Sequence, residues 1–269
     1  GKTYGALLVA KGLGGKIVLI DTENGSGDLY AIPFNYDVGT ITAPYAPQKY
    51  LQAIHEAERA NYDIIIIDSL SHVWAGEGGL LDMQGKIADS SKSSNSYYAW
   101  RQVTPWHNKL VDMILNSKCH VIATMRSKTE YIVVENEKGK QEPKKVGLAP
   151  VQRDGMEYEF TTVFDLSQNH SVSVSKDRTG IFDGTTFELS EETGIILKEW
   201  LNTGVDMEAR KKLQQELWQR YLAVYENDTK QAKEAMRLIT GKNNFDSCSD
   251  SDFQTLIHDI ELKEKIFTN

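Results

Sequence analysis

Cysteine is nearly absent from the 269 residues. Cys119 and Cys248 are the only two; they lie far apart and match no metal-ligand spacing. That argues against a disulfide-stapled scaffold and against a cysteine-based zinc site. Cys119 sits in the apolar run CHVIATM, where a buried reduced thiol and a cytoplasmic setting are expected. The six histidines show no metal spacing, and no Ser-His-Asp or Cys-His set stands out. No apolar run approaches the ~18 residues a membrane span needs, so no membrane partner is expected. Basic residues are in the minority, 30 Lys and Arg against 38 Asp and Glu, for a net charge of −8. That weighs against a protein that binds nucleic acid over its whole surface but leaves room for a local basic patch. Internal repeats and low-complexity tracts are lacking as well.

What remains is the composition of a globular protein, with 40% hydrophobic and 25% charged residues. The length suits one large core plus a small second unit. Residues 3–13 read as a helix with Ala6, Leu7, Leu8 and Ala10 as its apolar positions, and Gly12, Gly14 and Gly15 as stop signals. KIVLI and DIIII are short apolar β-type runs, and the lack of alternation in DIIII predicts a strand buried on both faces, as in a parallel sheet. Residues 47–61 and 96–115 read as amphipathic helices, the second containing Pro105. HVIATM is a further buried strand. YIVVENEKGKQEPKKVGL predicts an extended hairpin, and FTTVFDL, HSVSVS and TTFEL predict later strands. From about Asp206 the pattern turns helical, over 206–226, 229–239 and 250–265, with Ser249 or Ser251 as a cap for the last helix. The expected fold is α/β: a core at 1–203 with a mainly parallel sheet and antiparallel edge strands, then a small helical region at 204–269. The five tryptophans, Trp74, Trp100, Trp106, Trp200 and Trp218, are expected in the core.

The chemistry-bearing residues follow strands. IVLIDTE puts Asp21 and Glu23 just past one strand, and DIIIIDS puts Asp68 and Ser69 at the end of another. In open parallel sheets, ligands sit outside the carboxyl ends of the strands. The chain opens Gly1, Lys2, Thr3, Tyr4 and runs straight into a helix, which is how a phosphate-binding loop ends. Phosphoryl transfer needs neutralised charge, a metal ion and an oriented nucleophile. Lys2 suits the phosphates of ATP, and Thr3 with Asp68 suits Mg²⁺. Glu23 suits a carboxylate that orients the attacking water. Each signal alone has a plainer reading, as a frayed terminus or a strand meeting a turn. Their order along the chain, with helices between, favours an ATPase.

These residues make the chain resemble the RecA-like branch of P-loop ATPases over about residues 1–185. IDTENGSGDLYA is similar to the RecA segment that carries the catalytic Glu, with Glu23 in its place and Tyr30 on the aromatic that stacks on adenine. IIIIDSLS resembles the second nucleotide motif, with the same Asp68-Ser69 pair. HVIATMRSK resembles the strand whose end senses the γ-phosphate, where this chain has Thr124 in place of the usual amide. Thr124 as an ordinary buried strand residue fits equally well. SVSKDRTG carries Lys176 and Arg178, which strand alternation puts on one side; the resemblance implies a basic pair that reaches a neighbouring subunit's γ-phosphate. More narrowly, GLGGKIVLIDTE, VQRDGMEYEF and SKDRTG resemble phage-encoded RecA-like ATPases of the single-strand annealing and recombination type, nucleotide-binding proteins with an AAA domain. The resemblance implies ATP and Mg²⁺ as cofactors, single-stranded DNA as a partner, and self-association into a filament or ring in the cytoplasm of a bacterial host.

Two segments stand where RecA relatives have DNA-binding loops. Residues 76–98 are Gly- and Ser-rich and read as flexible. Residues 126–153 hold Arg126, Lys128, Lys138, Lys140, Lys144, Lys145 and Arg153 against four glutamates. With Tyr97, Tyr98 and Tyr131 as stacking platforms, such segments suit a single strand; a mixed-charge exposed hairpin is the plainer alternative. RDGMEYEF has no evident physical role. A complete phosphate loop also needs a preceding Gly-rich turn and the strand that feeds it. The sequence starts inside that motif, so an N-terminal truncation is expected, with weak ATP binding and an unpaired strand edge. Two other functions stay open: a ring helicase or translocase motor, and a non-hydrolysing ATP-dependent scaffold or loader.

Overall fold

The computed structural model describes residues 1–90, 96–135, 141–204 and 207–267, leaving out the side chains of 129–148 and of a few positions after 206. Its central sheet has four parallel strands: β1 (Ile17–Asp21), β2 (Asp37–Thr40), β3 (Ile64–Asp68) and β4 (His120–Ala123), in the order β2-β1-β3-β4. Ile64, Ile65, Ile66 and Ile67 are all fully buried. Each contributes roughly 1.5–3 kcal/mol of transfer free energy, which explains why DIIII shows no alternation.

The two faces of the sheet carry different partners. Ile17, Leu19, Ile64 and Ile66 pack against Ala6, Leu7, Val9, Ala10 and Leu13 of α1 (Lys2–Leu13). Val18, Ile20, Ile65 and Ile67 pack against Tyr50, Ile54 and Ala57 of α2 (Pro47–Arg59) and Leu110 and Ile114 of α5 (Ser96–Leu115). Between β3 and α5 lie α3 (Ser71–Ala75) and α4 (Leu80–Ser90). The flexible segment expected at 76–98 is therefore corrected in part: 80–90 is helical, because Leu80 is buried and Asp82 accepts the Gly78 N–H at 2.7 Å at the helix start. The tryptophans are partly buried rather than fully enclosed, and Trp218 packs against the core of the later helices. Trp74 and Trp100 stack on each other with ring centroids 5.7 Å apart.

α1 also corrects a stop signal. The helix runs through Gly12 to Leu13 and ends at Gly14. Gly12 is required by α6 (Glu191–Asn202): a Cβ there would lie 2.0 Å from the Glu191 carbonyl, and one on Gly194 would lie 2.1 Å from the Val9 carbonyl. The two backbones touch, and neither atom can move without shifting a helix. Gly194→Ala should destabilise the protein by about 1–3 kcal/mol through overpacking. Thermal unfolding should register it as a loss of roughly 2–4 °C per kcal/mol; an unchanged midpoint would contradict the close approach.

Later strands form separate antiparallel sheets: β5 (Ser127–Glu135) with β6 (Gln141–Pro150), and β7 (Thr162–Leu166), β8 (Ser171–Asp177) and β9 (Thr186–Glu188) in the order β7-β8-β9. The expected platform Tyr131 and the cations Lys138, Lys140, Lys144 and Lys145 lie outside the described side chains. Contacts divide the chain into Gly1–Asn202 and Thr203–Asn269. The second unit holds α7 (Met207–Val224), α8 (Thr229–Thr240) and α9 (Asp250–Phe267) around Tyr221, Met236, Leu256 and Ile260. Ser249 caps α9: its Oγ accepts the Asp252 N–H at 3.3 Å, and the Asp252 carboxylate accepts the Ser249 N–H at 2.8 Å.

Candidate functional site

Strand register builds the site. β1 and β3 pair so that Asp21 stands beside Asp68, both at the carboxyl end of the sheet. Period-two alternation puts both on the face covered by α1. Asp21 is fully buried and serves the loop: it accepts the N–H of Glu23 at 2.6 Å and of Gly25 at 2.7 Å. It thereby fixes where Glu23 leaves the strand. Gly25, in the left-handed region at φ 86°, lets the chain turn into a 3-10 turn at Ser26–Tyr30.

Asp68 is 1% exposed. Thr3 Oγ1 donates to its Oδ2 at 2.5 Å, and Thr124 Oγ1 donates to its Oδ1. The α1 start and the ends of β3 and β4 thus meet on one carboxylate. No side chain caps α1, whose first turn starts at Gly1 and Lys2; such a helix end favours an anion. Lys2 is exposed beside Thr3. Tyr4 packs against Tyr30, with centroids 5.5 Å apart, and edge-on against Phe34 at 5.4 Å. Tyr4 keeps 42% of its surface exposed, so this pair forms an open aromatic patch beside the helix start. The donor set fits Mg²⁺, which takes one or two carboxylates plus substrate phosphates rather than an all-protein cage. Among the described residues no cluster of three His, Cys, Asp or Glu residues competes with it for a metal.

Ser69 links the two acids. Its Oγ donates to Glu23 Oε1 at 3.0 Å, and the Asp68–Ser69 peptide is cis. Ser69 N–H donates to Thr22 Oγ1 at 2.8 Å, and Thr22 Oγ1 also contacts His72 Nδ1 at 2.7 Å. His72 stacks on Tyr45 at 4.7 Å. Burial pushes the His72 pKa down, as does Arg126, against the opposing pull of Glu23 and Asp68.

Arg126 is the partner that sequence reasoning assigned elsewhere. Its Nε donates to Glu23 Oε1 at 2.9 Å and its terminal nitrogen to Oε2, a two-pronged ion pair. Burial alone would raise the Glu23 pKa, but hydrogen bonds from Arg126 and Ser69 and the Arg126 charge outweigh it and hold the carboxyl below its usual range. The Arg126 side chain is 50% exposed and that of Glu23 21%. With water so close, such a pair is worth about 1 kcal/mol or less. The signal that could have found it was the one that found Asp68: Arg126 follows the end of a parallel strand.

Lys176 and Arg178 are not in this cluster. Both donate to the Tyr158 carbonyl, Arg178 at 3.0 Å, which confirms that they share a side and gives RDGMEYEF a role as their acceptor. Burial, followed by Arg178, lowers the Lys176 pKa. Asp177 fixes the turn that follows them, accepting Thr179 N–H and Phe182 N–H, both at 2.8 Å, and the Thr179 hydroxyl at 2.6 Å. At the other end of β8, the turn residue His170 abuts Gly1; a Cβ on Gly1 would lie 2.6 Å from its Nδ1.

No curated protein matches the chain. A family profile described as an AAA domain matches residues 1–236, most of its length, and with a parallel sheet that gathers a helix start and two acids at one rim, the chain belongs to that family.

Proposed function

We propose that this AAA-domain protein is an Mg²⁺-dependent, RecA-like ATPase that assembles on single-stranded DNA as a filament or ring, in phage recombination or replication. One observation carries the reading: Thr3 donates to Asp68, and the next residue, Ser69, donates to Glu23, so α1, β3 and the end of β1 meet at one pair of acids. Thr3 and Asp68 would hold the metal ion, which supplies charge neutralisation at the phosphates. Gly1, Lys2 and the first turn of α1 hold the phosphates, and the Tyr4–Tyr30 patch offers adenine a surface. Glu23, beside the metal ligands but not one of them, orients the water. Thr124 is spent on Asp68 and sits where a change at the phosphates reaches it through that carboxylate.

Lys176 and Arg178 lie six and eight residues along from His170, the residue beside Gly1. At ~3.3 Å per strand residue that is roughly 20–26 Å from the residue beside Gly1. This supports action on a neighbouring subunit. The DNA part of the reading rests on the basic hairpin and on the resemblance of its flanking motifs.

The test is the ATPase rate of the full-length protein, with and without single-stranded DNA, at two salt concentrations. DNA should raise the rate, and the gain should shrink at higher salt because phosphate contacts release counterions. A rate indifferent to DNA at both concentrations would remove the nucleic-acid part and leave a free-standing ATPase.

A further inference from the structure

Gln152 is a buried amide with no part in the chemistry described so far. Only 3% of it is exposed, and both ends of the amide are matched. Its Nε2 donates to the Leu70 carbonyl at 2.9 Å, and its Oε1 accepts the Arg153 N–H at 2.8 Å. Leu70 is fully buried in the loop that follows Asp68, and its own N–H donates to the Thr124 carbonyl, just past β4, at 2.9 Å. A buried amide bonded on both sides fixes the two backbones it joins, because losing it strands a carbonyl and an N–H away from water.

The chain beyond Gln152 is one tight turn. Met156 N–H donates to the Arg153 carbonyl at 3.1 Å, and Tyr158 N–H to the Gly155 carbonyl at 3.0 Å. The Met156 side chain is buried in the core on the α2 face of the sheet. This turn points the Tyr158 carbonyl at Lys176 and Arg178. The Tyr158 ring is mostly exposed, so ring packing does not set that carbonyl; the anchors are Gln152 and Met156. A further bond, from Arg178 N–H to the Thr161 carbonyl at 2.9 Å, closes the seat. Lys and Arg side chains are long and rich in rotamers, so a fixed acceptor decides where they point.

We propose that Gln152 is a positioning residue for the basic pair: it ties the segment whose Tyr158 carbonyl aims Lys176 and Arg178 to the loop after Asp68. Each subunit's own acid-bearing rim then sets where its basic pair reaches. The inference rests on the reading that the pair acts on a neighbouring subunit's phosphates, and it adds what aims the pair.

The experiment uses full-length Gln152→Met, which keeps the volume and loses both hydrogen bonds, and Gln152→Asn, which keeps the amide on a shorter stem. Gln152→Met should lower the ATPase rate of the assembled protein by about 10²-fold, the scale of a small misplacement caused from outside the reacting centre. ATP affinity by equilibrium titration and assembly size by light scattering should be unchanged. Gln152→Asn should fall between Gln152→Met and wild type, and it takes the other's place in the mixtures if Gln152→Met does not fold. An equal mixture with Glu23→Gln should recover roughly a quarter of wild-type activity, the share of interfaces that join an intact Glu23 to a well-aimed pair if subunits combine at random. A mixture with Arg178→Ala should recover nothing, because both proteins then lack a working pair. Normal turnover by Gln152→Met would overturn the proposal. So would recovery with Arg178→Ala, which would mean that Gln152 serves its own subunit's acids instead. A mixture of Glu23→Gln with Arg178→Ala that fails to recover would overturn the underlying reading of the basic pair, a separate result.

Discussion

Glu23→Gln should lower ATP turnover by ~10²–10⁴-fold, the usual worth of a positioned general base, while ATP affinity changes little. The separation of the two effects follows from the geometry. The contacts that would hold the nucleotide belong to the start of α1 and to Asp68, which is tied to Thr3 and Thr124. Glu23 reaches them only through Ser69. A Gln amide has the same shape and can still accept the Ser69 hydroxyl, so the loop set by Asp21 stays in place. What it loses is the negative charge that polarises water. Turnover should be followed by phosphate release and affinity by equilibrium titration with a nucleotide. If Glu23→Gln left turnover intact, the acid would be a structural strand end and another group would orient the water. If it abolished binding and turnover together, Glu23 would belong with the phosphate contacts, and the division of labour drawn between the two acids would fail.

The parts of this arrangement that the sequence disclosed are those set by burial and by backbone period. Ile64–Asp68 could be read as a two-sided strand because a parallel sheet leaves no polar face to interrupt it. Asp68 could be read as a site residue because strand ends converge. The same logic placed Glu23 correctly past β1 but did not show what holds it, because Arg126 lies 103 positions away and pairs with it only once β3 and β4 are adjacent. Gly12 was misleading for the same reason. As a local signal glycine stops a helix, but here its use is a contact with Gly194, far along the chain. The helix at 80–90 was hidden by its flanks, since Gly76, Gly78 and Gly79 read as a loop while Leu80 alone shows burial at its start. The tryptophans were placed only in part: large apolar area suggests a core, and Trp218 packs on one, while Trp74 and Trp100 stack on each other at a partly buried position.

Arg178→Ala should reduce the ATPase rate of the assembled protein by ~10³-fold or more, the scale of an arginine that neutralises charge on a transferring phosphoryl group. Lys176 and Arg178 converge on the single carbonyl of Tyr158, and their mutual repulsion contributes to the depressed Lys176 pKa, after burial. An incoming phosphate would relieve that repulsion, whereas Asp177, already committed to Thr179 and Phe182, cannot. If the pair acts on a neighbouring subunit's phosphates, as proposed, the defect should be complemented between subunits. Arg178→Ala protein keeps Glu23, and Glu23→Gln protein keeps Arg178. In an equal mixture about a quarter of the interfaces join an intact Glu23 to an intact Arg178 if subunits combine at random. The mixture should therefore recover roughly that fraction of wild-type activity, although each variant alone is nearly inactive. Light scattering or electron microscopy should show the same assemblies for all three samples, so that lost association is not mistaken for lost chemistry. A mixture no faster than its components, in assemblies of normal size, would mean that Arg178 does not act across the interface. The basic pair would then be a surface feature held by its own carbonyl.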